Sequence, residues 1–180
     1  GQTLSLVGES GCGKSMTALS LLRLNPQHVS RIVSGKIELD GQDLLSLSET
    51  EMEHIRGRRI AMIFQEPQSS LNPVLSVGQQ IGEALQWHFE IMGDALQARI
   101  LQLLSSVGIP DPEQRIKAYP HQLSGGMKQR VMIAIALACK PKVLIADEPT
   151  TALDVTVQAQ IFDLLRDLRK ETGTSIILIT

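Results

Sequence analysis

The octapeptide GESGCGKS, Gly8 to Ser15, constrains this chain more than any other stretch. It satisfies the pattern G-x-x-x-x-G-K-[ST] in full. The residues before it, Thr3 to Val7, read as a short strand, and Lys14 to Leu24 carries apolar residues at helical spacing. A strand that turns through Gly8, Gly11 and Gly13 into a helix can gather backbone N–H groups around one point, toward which the positive end of the helix also faces. That arrangement suits a chain of phosphates. Lys14 adds a point charge for the β- and γ-phosphates, and the Ser15 hydroxyl can hold Mg2+. Glu9, Ser10 and Cys12 complete the loop, and Met16 follows in the first helical turn. The competing reading is a glycine turn that happens to precede Lys-Ser; a chance match in a chain this size is rare, roughly one in a hundred.

With 180 residues, 43% of them hydrophobic, the chain can bury a substantial core as one domain with room for an insertion. A formal net charge of −2 with mixed signs along the chain argues against a basic face for nucleic acid. Cys12 and Cys139 offer neither a disulfide framework nor metal-ligand spacing, which fits a reducing compartment. The longest purely apolar run, Val131 to Cys139, is about half of what a bilayer crossing needs. The start at Gly1 and the end inside the apolar run SIILIT read as an excerpt of a longer protein.

Farther along, GKIELDGQDL alternates like a half-buried strand and carries the turn signal Asp40-Gly41. Ser48 with Glu51 three residues later predicts a capped helix closed by Gly57, and RRIAMIFQ predicts a strand ending near Gln65. From Glu66 to about Ala134 the grammar becomes helical, with amphipathic patterns at Val77 to Met92 and Asp94 to Val107. Strands return at KVLIAD and TSIILIT, separated by a helix from Val155 to Glu171. Apolar strands alternating with helices predict a mostly parallel sheet covered on both faces.

Two further stretches carry chemistry. Asp147 and Glu148 leave the apolar strand KVLIAD at the carboxyl end of the sheet, where open α/β folds bind ligands. Asp147 suits Mg2+, and Glu148 suits a general base for an attacking water. Ser124-Gly125-Gly126 opens a long helix; the serine is a good N-cap, and the bare glycine backbone leaves N–H groups open to an anion. The scattered His28, His54, His88 and His121 lack ligand spacing and read as surface or loop positions. Trp87 and Phe89 are expected to pack, and Arg130 to brace its helix.

GESGCGKS, FQEP, LSGGMKQR and LIADEPTTALD, in this order and spacing, resemble the ATPase domain of ATP-binding cassette (ABC) transporters over essentially the whole chain. The resemblance implies an α/β fold: a P-loop NTPase core (1–65 and 135–180) with a mostly parallel sheet, helices on both faces and an antiparallel β edge, plus an inserted α-helical subdomain (66–134). It implies ATP and Mg2+ as cofactors. Lys14, Gln65 and Glu148 would serve catalysis, and Ser15, Gln65 and Asp147 would hold the metal. Ser124, Gly125, Gly126 and Asp154, the last of these closing the D-loop TALD, would contact nucleotide across a head-to-tail pair of cassettes. Met127 replaces the glutamine of the commonest signature, as in many peptide-importer members, and leaves Ser124 and Gly126 in role. An adenine-stacking aromatic and a switch histidine are expected outside these 180 residues, so full hydrolysis is expected of the longer protein.

IFQEPQSSLNPVLSVGQQI and YPHQLSGGMKQRVMIAIAL are similar to the dipeptide, oligopeptide, glutathione and nickel importer branch. The implied partners are a second ABC ATPase cassette, integral membrane permease subunits and an extracytoplasmic solute-binding protein, with no nucleic acid. The implied place is the cytoplasmic face of the inner membrane. The rival expectations are a soluble ABC ATPase of DNA repair or translation, and a nucleotide binder that does not hydrolyse.

Overall fold

Short, nearly continuous apolar strands set the architecture. The structure, a computed structural model, describes every residue except Gln27, Val29 and Ala152, and the side chain of Gln68. Its elements run β1 (Thr3–Leu6), α1 (Lys14–Leu21), β2 (Glu38–Leu39), β3 (Gln42–Asp43), α2 (Glu49–Ile55), β4 (Ile60–Ile63), α3 (Pro67–Ser70), α4 (Val77–Phe89), α5 (Gly93–Ser106), α6 (Pro112–Arg115), α7 (Gly125–Leu137), β5 (Val143–Asp147), α8 (Val155–Thr172) and β6 (Ser175–Ile179). The main sheet has the order β1-β6-β5-β4 with every pairing parallel. β2 and β3 form a separate antiparallel pair. Asp40 and Gly41 both take positive φ there, 53° and 80°, the backbone a two-residue hairpin turn requires.

Because side chains alternate across a strand, β4, β5 and β6 each feed two cores. Ala61, Ile63, Leu144, Ala146 and Ile176 join the cluster beneath α7 and α8. Ile60, Met62, Ile145 and Ile179 join the opposite cluster with Ala18 of α1, Leu22 at its C-cap, and Met52 and Ile55 of α2. Helices thus cover both faces, as the sequence pattern predicts. Burying one such aliphatic side chain contributes about 1.5–3 kcal/mol, so the two clusters hold the sheet edge that carries the candidate site.

α7 is apolar on most sides: Val131, Met132, Ile133, Ala134, Ala136 and Leu137 are all buried. It packs against α3, α4, α5 and β4. Arg130 braces it as expected, donating from Nη1 to the Val107 carbonyl at 2.6 Å and from Nη2 to Gln160 Oε1 at 2.9 Å. Gly108 has a packing reason to lack a side chain, since a Cβ there would lie 2.8 Å from Arg130 Nη1. The capping box at Ser48 and Glu51 forms as predicted, and Ser76 with Gln79 forms a second one at the head of α4.

The structure corrects the expectation for Trp87 and Phe89. The buried stripe of α4 is Val77, Ile81 and Leu85, and Trp87 lies about 200° around the helix from Leu85. Trp87 is 61% exposed and Phe89 43%. Trp87 stacks on His54 at a ring separation of 6.5 Å, and Arg58 lies 5.5 Å from the Phe89 ring centre. α4 stops at Phe89 rather than Met92 because Glu90 turns left-handed, at φ 55°.

Candidate nucleotide-binding and hydrolysis site

The phosphate loop leaves β1 at Leu6 and enters α1 at Lys14. Gly13, the N-cap of α1, has φ 96°, a conformation open to glycine and strained for other residues. Gly8 is required by close approach instead: a Cβ would meet Cys12 Sγ at 2.7 Å. Cys12 itself is an exposed free thiol. Lys14 is buried, and its ammonium donates to the carbonyls of Gly8 at 2.6 Å and Glu9 at 2.9 Å. Glu9, Ser10, Gly11 and Met16 are exposed around this turn, and Ser15 is half-buried.

Parallel pairing aligns the carboxyl ends of the strands. Leu6 sits opposite Ile179, and Ile179 opposite Asp147, so the loop exit and the acidic pair are about 10 Å apart at two strand spacings. Glu148 has φ 44°, unusual for a residue with a side chain, and its N–H donates to the Ile179 carbonyl at 3.0 Å. This kink carries the carboxylate off the line of β5. Gln65, 83 residues upstream, donates from Nε2 to Glu148 Oε2 at 2.8 Å. Thr151 Oγ1 donates to that same Oε2 at 3.0 Å. Sequence reasoning passed over Thr151; its signal is a hydroxyl three residues after the glutamate, brought back by the intervening Pro149.

Asp147 is 3% exposed, and its Oδ1 is buried without a hydrogen-bond partner among the described residues. A buried acceptor of this kind needs a cation or a donor. With Ser15 and Gln65 the proposed set is a hydroxyl, an amide oxygen and a carboxylate, hard oxygen donors of the sort Mg2+ takes. The Gln65 nitrogen faces Glu148, which leaves its amide oxygen as the ligating atom. The residues present fit the ion.

Ser124 caps α7, its Oγ accepting from the Met127 N–H at 3.3 Å. Ser124 and Gly125 are exposed. A Cβ on Gly126 would lie 3.1 Å from Val157 Cγ1, so the glycine lets the heads of α7 and α8 approach. Asp154 caps α8, with Oδ1 accepting from the Val157 N–H at 2.9 Å. Among the described residues no hydrogen bond joins Ser124 or Asp154 to the phosphate loop. One copy of the chain thus brings together the loop, Gln65, Asp147 and Glu148, and leaves the serine-glycine start facing solvent.

Cys139 and His88 stay outside this group. Burial pushes the Cys139 thiol up to about 11. His88 is half-buried on α4 rather than on open surface, and burial, then the Arg58 charge, lower its pKa. Among the described residues no cluster of three or more His, Cys, Asp or Glu is placed to hold a metal, and no helix is long and apolar enough to cross a membrane.

Residues 1–151 match the family model described as ABC transporter. All 180 residues align at 53% identity with the dipeptide transport ATP-binding protein DppD of Bacillus subtilis, covering 54% of that protein. They align at 54% identity with the oligopeptide transport ATP-binding protein OppD of the same organism, covering 50% of it. The chain therefore spans about half the length of the curated relatives it matches. Among solved structures, the ATP-binding cassette MJ0796, in a dimeric post-hydrolysis state bound to ADP and Pi, superposes with a TM-score of 0.86 at 30% identity over 99% of this chain and 74% of that one. On the strength of the family match, the relatives and the shared fold, this chain belongs to the ABC transporter family.

Proposed function

We infer that this chain is the ATP-binding and hydrolysing part of a subunit that powers an ABC importer for peptides or related small solutes. The observation that carries the reading is the Gln65–Glu148 hydrogen bond at the carboxyl edge of the sheet, beside the phosphate loop. The loop N–H groups and Lys14 bind the phosphates. Ser15, Gln65 and Asp147 would hold Mg2+, which when bound would offset negative charge on the nucleotide phosphates. Glu148 takes the proton of the attacking water.

Ser124 and Gly126 serve a second copy of the cassette. Among the described residues their helix start makes no hydrogen bond to the phosphate loop of its own chain, Ser124 and Gly125 are exposed, and the MJ0796 relative is dimeric. Two cassettes then close around two ATP, each signature completing its partner's site; Asp154 lies at that junction. Residues 66–134 form the helical signature subdomain, and 1–65 with 135–180 form the ATPase core. Integral membrane permease subunits and an extracytoplasmic solute-binding protein complete the machine, with the cassettes peripheral on the cytoplasmic face of the inner membrane. The names of the relatives favour peptides as cargo, and favour an importer over a soluble role in DNA repair or translation.

The test is the solution mass of the complete protein carrying Glu148→Gln, with and without Mg-ATP. Blocked hydrolysis should trap the closed pair, so the mass should double with ATP. A monomer in both states despite bound ATP would sink the shared-site mechanism.

A further inference from the structure

Among the described residues, the two side-chain donors that reach the Glu148 carboxylate reach one oxygen. Gln65 Nε2 stands 2.8 Å and Thr151 Oγ1 3.0 Å from Oε2. An ionised carboxylate oxygen offers about two lone-pair positions, so Oε2 is filled and Oε1 is left to accept a proton. The pair of donors therefore selects which oxygen works as the base.

Thr151 arrives at this place by local chemistry. Its N–H donates to the Glu148 carbonyl at 3.1 Å, closing a turn in which Pro149 occupies the second position, where its fixed φ is already suited. The Leu153 N–H also donates to the Thr150 carbonyl at 3.2 Å. From the helix side, Gln158 on α8 donates Nε2 to the carbonyls of Thr150 at 3.2 Å and Leu153 at 3.1 Å. One amide thus ties the residues on either side of Thr151 to α8, and α8 is anchored in the core by Ile161, Leu165 and Leu168.

We propose that Thr151 is a positioning residue for Glu148 and that Gln158 holds Thr151 in place. The proposal rests on the reading of Glu148 as general base. In the step it serves, the water oxygen bonds to the γ-phosphorus and the water proton passes to Glu148 Oε1. The bond from the γ-phosphorus to the bridging oxygen breaks, leaving ADP and phosphate. Thr151 touches neither water nor phosphate and acts by keeping Oε1 turned toward the water.

The experiment compares steady-state ATP hydrolysis and Mg-ATP affinity of the complete protein, in its assembled complex, for T151V, T151S, Q158L and E148Q. Valine keeps the shape of threonine and removes the hydroxyl. Misdirecting a general base forfeits part of its 10²–10⁴-fold contribution, so T151V should lose about tenfold in kcat with KM within about twofold. T151S restores the hydroxyl and should return to within about threefold of the parent, while Q158L should lower kcat less than T151V, again at unchanged KM. Wild-type kcat in T151V, or an equal fall in T151S and T151V, overturns the proposal. Should T151V lose Mg-ATP binding, Q158L decides instead: reduced kcat at unchanged KM supports the proposal, and unchanged kcat overturns it. E148Q separates the two levels. If it stays active, the general-base reading itself has failed; if it is inactive while T151V is fully active, only the positioning role has failed.

Discussion

Replacing Lys14 by alanine tests the phosphate loop most directly, and the structure sets the expected size. The ammonium is not idle in the resting loop: it is bonded to the Gly8 carbonyl at 2.6 Å and the Glu9 carbonyl at 2.9 Å. A unit charge about 4 Å from an opposite charge, at an effective dielectric of about 20, contributes about 4 kcal/mol. Turning toward a phosphate oxygen costs the resting bonds, each worth about 1.5 kcal/mol for a charged donor. If one bond is exchanged the net gain is about 2.5 kcal/mol, and if both are exchanged about 1 kcal/mol. K14A should therefore weaken Mg-ATP binding between about fivefold and about 60-fold. The assay is titration with a fluorescent ATP analogue in Mg2+, with thermal unfolding as the control for folding. Gly8 and Glu9 are exposed, so water can take over their carbonyls and the melting temperature should barely move. An unchanged dissociation constant in a folded variant would refute the cradle. A loss beyond about a thousandfold would refute the offset assigned to the resting bonds.

Three other perturbations reach different parts of the molecule. Ser124→Arg should leave Mg-ATP binding by the monomer near the parent value but prevent the doubling of mass, read by light scattering; normal pairing would refute the two-site reading. His88 has its pKa lowered by burial, so as pH falls through about 6.5 the unfolded chain takes the proton first and stability declines. Denaturant midpoints between pH 7.5 and 5.5 should fall less steeply in His88→Gln than in the parent, and parallel curves would contradict this. Arg130→Met removes the bonds to Val107 and Gln160. It should cost about 1–3 kcal/mol, or about 2–12 °C in melting temperature, and an unchanged melt would show the brace to be idle.

What was legible in the sequence was local. The spacing of GESGCGKS specifies strand, loop and helix because each glycine answers a backbone need within a few residues, and the Ser48–Glu51 box is likewise a four-residue device. The box at Ser76 and Gln79 was equally available, in SVGQ, and went unread. So did the starts of α3 and α6, each signalled by a proline in the first turn. The Gln65–Glu148 contact could not be read, because it depends on β4 and β5 lying side by side in parallel register. The amides that bond loop carbonyls resist reading for the same reason. Gln80 bonds the carbonyls of Asn72 and Leu75, and Gln158 those of Thr150 and Leu153, although a glutamine in a helix normally reads as a surface residue. Trp87 shows the converse error: a large aromatic invites a core assignment, and only its angle around α4 reveals that it faces outward.

The burial of α7 has a mechanical consequence. A 13-residue helix is about 20 Å long. Gripped along most of its length, α7 would move as a rod rather than bend, with the exposed Ser124 at the tip of a lever. A tilt of about 15° about its buried end would swing Ser124 through about 5 Å, roughly one strand spacing. On the two-copy site proposed above, a modest rotation of the surrounding helices would be enough to carry Ser124 into or out of reach of the partner's phosphate.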